Sequence, residues 1–103
     1  MLTKFAALLL VVTIGQLHAG SHAYDGRHVD VTGRASRPHA GVLTDGTRYE
    51  RFAVCAGWCM QVVAIGTPAI AAGQTITVHG TYYVHKNLGG FVLHGIEADP
   101  GSL

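Results

Sequence analysis

The sequence contains none of the motifs by which common enzyme classes are recognised. It has no Ser/His/Asp arrangement around a nucleophile and no glycine-rich phosphate loop that leads into a helix. The carboxylates of Glu50, Glu97 and Asp99 have no partner at a spacing that favours acid/base catalysis. We therefore expect a protein that is not an enzyme, carries no catalytic residues and needs no cofactor.

Charge is scarce and nearly balanced. Only 13% of the residues are charged, and the formal net charge is +1. A domain that binds nucleic acid by electrostatics alone would be more basic. However, five of the six cations that follow residue 19 lie between positions 27 and 51. The sequence therefore still allows a local basic patch.

Long apolar runs are absent except near the N-terminus, where residues 1–4 form a short positive start and residues 5–15 are uncharged and mostly apolar. This pattern is typical of a secretory signal peptide. The run is too short for a membrane span, which needs about 20 apolar residues. We expect a signal peptide at residues 1–19, with cleavage after Ala19 or, alternatively, after Ala23. A flexible lead-in at residues 20–27 and a domain at residues 28–103 would follow, in the periplasm or the medium and without a membrane span.

Only two cysteines occur, Cys55 and Cys59. An extended strand would hold their Cα atoms too far apart, whereas a turn brings them within about 4.4–6.8 Å. An exported protein also meets oxidising conditions. We therefore predict a disulfide across a hairpin turn. This spacing without a second ligand pair is not a zinc signature and differs from that of thioredoxin-like sites. His79, His85 and His94 bring no carboxylate or thiolate at a defined spacing, so we expect no metal site.

Alternating apolar and polar residues predict strands instead of helices. In the clearest stretch, residues 73–99, two β-branched and aromatic runs flank the paired glycines 89 and 90, which is typical of a β-hairpin. Its inward positions are Ile76, Val78, Tyr82 and Val84, and Gly80 also falls at inward parity, where it indicates a bend or a close backbone approach.

Three more strands precede this hairpin. Residues 28–36 form a strand bent at Gly33, residues 37–47 a long loop, and residues 48–55 and 59–65 a strand pair. If Cys55 faces Cys59, then Val54 faces Met60 and Phe52 faces Val62, which keeps one face apolar. A two-residue turn would instead set Val54 against Gln61. Residues 67–73 have room for one helical turn at most.

Five strands with a bent first strand and a closing hairpin predict an all-β fold, a small five-stranded OB-fold-like barrel. An SH3-like barrel or a small open β-sandwich is the structural alternative. About 80 residues after the signal peptide are enough for only one domain.

Several short segments resemble a known family. They are residues 45–52, 73–75, 80–82 and 99–101, together with Asn87, Gly89, Gly90 and His94. In these segments the chain is similar to small exported bacterial proteins, a domain family of unknown function with an OB-like barrel. The resemblance covers most of positions 29–101 and implies export and the barrel, but no activity. The chain departs from the family pattern at two places. At residues 63–65 the family usually has a polar His-Asn pair, and after the position of Leu103 the family usually continues into a tail that contains His and Trp.

OB-type barrels usually bind ligands on the face of their second and third strands, between two flanking loops. On the predicted register this face carries Tyr49, Arg51 and Gln61, with arginines nearby and Trp58 at the hairpin tip. The candidate ligand-binding residues are Arg34, Arg48, Tyr49, Arg51, Trp58 and Gln61.

Arginine with aromatic neighbours stacks on bases or sugars and pairs with phosphates or carboxylates. The sequence thus favours an exported binding module for a protein, an oligosaccharide or a single-stranded nucleic acid. In the alternative interpretation these residues bind no ligand: the arginines pair with Asp30, Asp45 and Glu50 on a solvated face, and Trp58 covers the end of the barrel. The chain would then be a structural accessory protein of the envelope that acts by protein–protein contact.

Overall fold

The computed structural model describes residues 10–103, so the positive start and the first part of the apolar run lie outside the described residues. The described chain is mostly β-structure. In chain order its elements are β1 (Leu10–Val11), α1 (Ile14–Ala19), α2 (Ser21–Tyr24), β2 (His28–Val42), β3 (Arg48–Ala56), β4 (Trp58–Ile65), β5 (Thr75–Asn87) and β6 (Val92–Ala98). Within residues 10–103 no helix has the length and apolar character needed to cross a membrane.

Five strands form a sheet that closes in a ring. The order is β2-β3-β4-β6-β5, and β5 pairs back onto β2. The β4–β6 strand pair is parallel, and the other four strand pairs of the ring are antiparallel. Closure depends on the length of β2, which pairs with β5 over residues 28–34 and with β3 over residues 34–42. The pairing partner of β2 changes at Arg34, directly after Gly33, where a Cβ would overlap the backbone of Cys55.

Inward residues of all five strands fill the ring, and those of β3, β4 and β5 include the ones that the alternation predicted. They are Val29, Val31 and Ala35 on β2, Phe52 and Val54 on β3, Met60 and Val62 on β4, Ile76, Val78 and Tyr82 on β5, and Ile96 and Ala98 on β6. Gly80 lies at an inward position opposite Ala98, and a Cβ there would overlap the carbonyl oxygen of Glu97. The predicted close backbone approach at Gly80 is therefore confirmed.

The predicted register of the β3–β4 hairpin is also confirmed. Cys55 lies opposite Cys59 and is joined to it by a disulfide, with the two Cα atoms 4.0 Å apart. Val54 faces Met60 and Phe52 faces Val62, so the alternative pairing of Val54 with Gln61 is wrong. The turn is tight because Gly57 adopts φ 78°, a conformation that glycine tolerates best.

The long loop predicted at residues 37–47 is wrong over its first half. Strand β2 continues to Val42 through an irregularity between Ser36 and His39, where Arg37 adopts φ 56°. Pro38 is tolerated there because a bulge does not need its missing N–H for the ladder. The true turn covers residues 43–47 and is closed by the Leu43 N–H, which donates to the Thr47 carbonyl (2.8 Å).

The chain before β2 is ordered against the ring. Residues 20–27, which the sequence predicted as a flexible lead-in, contain α2 and bond to β5: the Gly26 N–H donates to the Tyr82 carbonyl at 2.7 Å, and the Tyr82 N–H donates to the Arg27 carbonyl at 2.9 Å. Ahead of them, α1 buries Ile14 and Leu17, and β1 pairs in parallel with β2. The last part of the apolar N-terminal run thus contributes to the core.

Candidate binding face on β3 and β4

Three of the six predicted ligand-binding residues meet on the outer face of β3 and β4. Tyr49 and Arg51 point outward because their neighbour Phe52 points into the core. Gln61 lies on β4, opposite Ala53 and one outward position from Arg51. With its amide oxygen turned toward Arg51, Gln61 accepts hydrogen bonds from Nη2 (2.5 Å) and Nε (3.2 Å) of the guanidinium. The plane of the guanidinium is thereby held against the sheet.

Phe91, which the sequence analysis did not select, completes this group. The guanidinium carbon of Arg51 lies 4.2 Å from the centroid of the Phe91 ring. The Tyr49 ring lies 5.2 Å from the same ring at an interplanar angle of 49°. We call Tyr49, Arg51, Gln61 and Phe91 the Arg51 stack; it joins a cation to two aromatic rings at distances at which such groups attract one another.

The tip of the β5–β6 hairpin folds onto the outer face and carries Phe91 to it. Gly89 and Gly90, with φ 82° and 135°, allow this fold-back. The Gly89 carbonyl accepts a hydrogen bond (2.8 Å) from the Thr44 N–H in the turn after β2. The two loops beside this face therefore contact each other. Paired glycines before an aromatic residue are the sequence signal that could have indicated Phe91.

Two apolar side chains on the outer side of the sheet are buried. Val63 on β4 lies at an outward position and yet is fully buried, and so is Leu93 on β6. Both lie outside the main core cluster of the ring. Other parts of the chain therefore cover the outer side of the sheet at these two positions.

Two shallow depressions flank the Arg51 stack. One, of about 210 Å³, is lined by Arg37, His39, Arg51 and Gln61 among others. The other, of about 180 Å³, is lined by residues that include Arg48 and Tyr49. Both are smaller than the roughly 300–1,000 Å³ of typical small-molecule pockets. On size alone, neither depression would enclose a small molecule.

The structure does not bring Arg34 and Trp58 to the stack. Arg34 is exposed on β2 at the point where the pairing changes from β5 to β3. Trp58, 61% exposed, lies at the β3–β4 turn, where its ring contacts that of His18 at 5.3 Å between centroids. Of the two depressions, Arg48 lines only the second, which it shares with Tyr49.

The arginines are not neutralised by the chain's own carboxylates. Among residues 10–103, which include every arginine and every acidic residue, three ion pairs form, and each uses a histidine or a lysine. Asp30 pairs with His79 (2.7 Å). Asp45 accepts from the Thr47 N–H, and hydrogen bonding to Thr47 holds the pKa of Asp45 below its usual value. The expectation that arginines pair with Asp30, Asp45 and Glu50 is therefore wrong.

Several histidines each contact one other side chain. His28 bonds to Asp99 (2.6 Å) and thereby ties the start of β2 to the turn after β6. The rings of His85 and His94 lie in an edge-on arrangement, with their centroids 5.6 Å apart. Within the described part of the chain, no group of three or more His, Cys, Asp or Glu is placed to hold a metal ion.

Comparison of the chain with protein-family models, curated proteins and solved structures gave no significant match. The side chains on the outer face of β3 and β4 are therefore the main indication of function.

Proposed function

We propose that this protein is an exported binding module with an OB-like fold, and that it binds an extended ligand on the outer face of β3 and β4. The observation that carries the proposal is the position of Arg51. Its guanidinium is held by Gln61 and Phe91 and pairs with no carboxylate. A charged group fixed in place without a counter-ion is available to an anionic group of a ligand.

The strand order supports the OB-like fold. A five-stranded Greek-key ring with a long, bent first strand is the arrangement of OB-folds, and the parallel β4–β6 pair follows from its connectivity. OB-folds bind between the loop after their first strand and the loop of their last hairpin. Those loops correspond to residues 43–47 and 88–91 here, and both lie beside the Arg51 stack. The resemblance to small exported OB-like proteins agrees with this arrangement.

Export is supported by the pattern of the N-terminus and by the cysteines. A positive start and an uncharged apolar run precede Ala19, the favoured cleavage position, and Ala23. The Cys55–Cys59 disulfide is compatible with an oxidising compartment, since disulfides persist chiefly outside the cytosol. We place the processed protein in the periplasm or the medium.

The chemistry of the face indicates the kind of ligand. Arginine forms paired hydrogen bonds with phosphate or carboxylate, and aromatic rings stack on bases and sugars. The face combines both within one stack and extends into the depressions lined by Arg37 and Arg48. An acidic oligosaccharide, a nucleic-acid strand or an acidic segment of a partner protein carries anionic groups at repeated intervals and fits such a surface.

A second candidate is a structural accessory protein that contacts another envelope protein. It is favoured by the exposed apolar side chains of Val42, 62% exposed, and Val92, 36% exposed. Surfaces of this kind take part in protein–protein contacts when they are contiguous. Under this candidate the Arg51 stack is a structural anchor for the hairpin tip.

Binding of two defined probes to matched variants tests the proposal. Fluorescently labelled oligothymidylate and a labelled galacturonate oligomer are titrated with the wild type, with the double variant Tyr49→Ala and Arg51→Ala, and with Arg27→Ala as a control for lost charge. We expect the double variant to bind at least one probe about tenfold more weakly or worse, since each stacked base contributes about 1–3 kcal/mol. The control should bind as the wild type does. Equal binding by all three proteins, or binding of neither probe by the wild type, would contradict the proposal and favour the accessory role.

A further inference from the structure

The Cys55–Cys59 disulfide lies on the outer face of the β3–β4 hairpin, directly beside the turn. Val54 and Met60, which precede and follow the two cysteines, are buried in the core, so both cysteine side chains point to the opposite face. Cys59 is exposed and Cys55 is half-buried. Cys59 is therefore open to molecules in solution, and exposed disulfides are the ones that take part in thiol exchange.

Cys59 also lines the depression of about 210 Å³ beside the Arg51 stack. Arg37, His39 and Arg51 line the same depression. Among the described residues no acidic side chain lines it, and neither arginine forms an ion pair with a carboxylate. Such a site favours a thiol that carries carboxylate groups, because arginine binds carboxylates. A small thiol reaches a sulfur in a depression more readily than the cysteine of a folded protein does.

A third arginine lies on the other side of the disulfide. Arg34 of β2 is the direct cross-strand partner of Cys55, and both residues point to the outer face. Directly opposite residues of an antiparallel pair have Cβ atoms about 4.5–5.5 Å apart. A nearby cation stabilises a thiolate, and a stabilised thiolate leaves more readily during exchange. Arg34, which lies away from the Arg51 stack, is thus placed to stabilise Cys55 as the leaving group.

The fold does not need this disulfide to keep the hairpin paired. Residues 49–54 of β3 and 60–65 of β4 remain in register through their own ladder. A cross-link with a sequence separation of 4 also removes little chain entropy. Because coupling is reciprocal, a disulfide that stabilises the fold weakly is held weakly by the fold. After reduction the two thiols would remain opposite each other, so the bond can form again.

We propose that Cys55 and Cys59 form a thiol-exchange site for a small thiol that bears carboxylate groups. The thiolate sulfur of this ligand attacks Sγ of Cys59 and forms a new S–S bond. The Cys55–Cys59 bond breaks, and Cys55 leaves with the electron pair as a thiolate beside Arg34, then takes a proton from water. The protein disulfide is the oxidant, so the step needs no other. Arg37 and Arg51 attract the carboxylates of the ligand.

The experiment follows the reaction of the oxidised, folded protein with two thiols at neutral pH. Glutathione carries carboxylates, and 2-mercaptoethanol carries none. Aliquots are trapped with acid and N-ethylmaleimide, and mass spectrometry measures how fast the disulfide opens and which cysteine carries the added thiol. The same protein in urea, which removes the depression and adds no salt, gives the intrinsic difference between the two thiols.

We expect glutathione to be found on Cys59. The ratio of its opening rate to that of 2-mercaptoethanol should be at least about fivefold higher in the folded protein than in urea, and should fall with added salt. Arg37→Gln should lower this ratio. Arg34→Gln should slow opening by both thiols at least about twofold, because it acts on the leaving sulfur. Arg27→Gln, which removes the same charge outside the depression, should react as the wild type does.

Four results would overturn the inference. They are equal rate ratios in the folded and urea-unfolded protein, glutathione carried chiefly by Cys55, an Arg34→Gln variant that opens as fast as the wild type, and loss of the native circular dichroism spectrum on reduction. The last result would give the disulfide a structural role only. The inference goes beyond the proposed function. Exchange is read from masses without any ligand on the Arg51 stack, so failure of either proposal is distinguished from failure of the other.

Discussion

The guanidinium of Arg51 and the ring of Phe91 lie 4.2 Å apart, although the two residues belong to β3 and to the tip of the β5–β6 hairpin. Their contact fastens the hairpin tip to the outer face of the ring, beside the Thr44–Gly89 hydrogen bond. It also fixes the direction of the guanidinium, which Gln61 holds from the sheet side. One contact therefore serves both the structure of the tip and the proposed ligand site.

The first prediction concerns the strength of this contact. A double-mutant cycle with Arg51→Ala and Phe91→Ala should give a coupling free energy of about 0.5–1 kcal/mol in favour of the folded state, the range of exposed cation–π pairs. Urea unfolding of the four proteins measures it. The parallel cycle with Arg27→Ala and Phe91→Ala should give no coupling. Coupling in the control cycle, or none between Arg51 and Phe91, would show that the stack is not an energetic unit.

The second prediction concerns Gly80. Gly80→Ala should lower the free energy of unfolding by at least about 2 kcal/mol, because the added Cβ meets the Glu97 carbonyl and lies within 2.9 Å of the Ala98 Cα. Thr81→Ala, on the neighbouring outward position, is the control and should cost about 0.5 kcal/mol. Urea unfolding measures both. If the two variants are equally stable, the close approach of β6 to β5 at this point is not as described.

Much of the ring follows from local sequence patterns. Period-two alternation placed the inward residues of β2, β3 and β5, and it correctly set Val54 opposite Met60 because the other register would bury Gln61. Gly80 correctly marked a close backbone approach, and the bend predicted at Gly33 corresponds to a second close approach. These features depend on neighbouring residues along one strand or across one hairpin, so a sequence pattern can carry them.

Features that depend on ring closure could not be predicted in this way. Phe91 reaches Arg51 only because closure brings the turn at residues 43–47 next to the hairpin tip. Strand β2 continues through Pro38 because the bulge there does not need an N–H from the proline. In the sequence, the Pro and Gly residues of this segment indicate a loop, so the continuation of the strand was not predicted. Tyr49, Arg51 and Gln61 were predicted from the parity of their strand positions. The positions of Arg34 and Trp58 depend instead on where β2 changes its pairing partner and on the β3–β4 turn.

The third prediction concerns the disulfide. Replacing both cysteines, Cys55→Ser with Cys59→Ser, should preserve the fold and lower its stability by less than the ~3 kcal/mol expected for a 15-residue loop, because the sequence separation is only 4. The pairing of β3 with β4 along the rest of both strands maintains the register. Urea unfolding with and without reductant measures the loss. Two thiols that react with an alkylating reagent in the unreduced exported protein would contradict the disulfide.

The fourth prediction concerns alkaline pH. The hydrogen bond from Lys86 Nζ to Glu97 Oε1 (2.6 Å) raises the pKa of Lys86, and burial opposes this less strongly. Because the folded-state pKa is the higher one, this stabilisation is fully present below the unfolded-state pKa of about 10.4 and is lost as pH rises through the folded-state pKa. Burial also raises the pKa of Tyr82, which adds a loss in the same alkaline range. Stability should therefore fall above about pH 10.

Lys86→Arg separates the two contributions, since arginine keeps its charge throughout this range. Thermal unfolding midpoints measured between neutral and alkaline pH should fall less steeply for Lys86→Arg than for the wild type. Tyr82→Phe is not a sufficient control alone, because it also alters a buried side chain. Identical alkaline profiles for the wild type and Lys86→Arg would show that the Lys86–Glu97 pair does not contribute.

Amide chemical-shift mapping locates the ligand-binding surface of the domain. The purified protein is labelled with ¹⁵N and titrated separately with oligothymidylate and with the galacturonate oligomer. We expect at least one probe to shift a contiguous set of amides on the outer face of β3 and β4 and at the hairpin tip, centred on Arg51, Gln61 and Phe91, and we expect Arg51→Ala to weaken these shifts. Shifts confined to another surface, or no saturable shifts with either probe, would contradict a ligand site at the Arg51 stack.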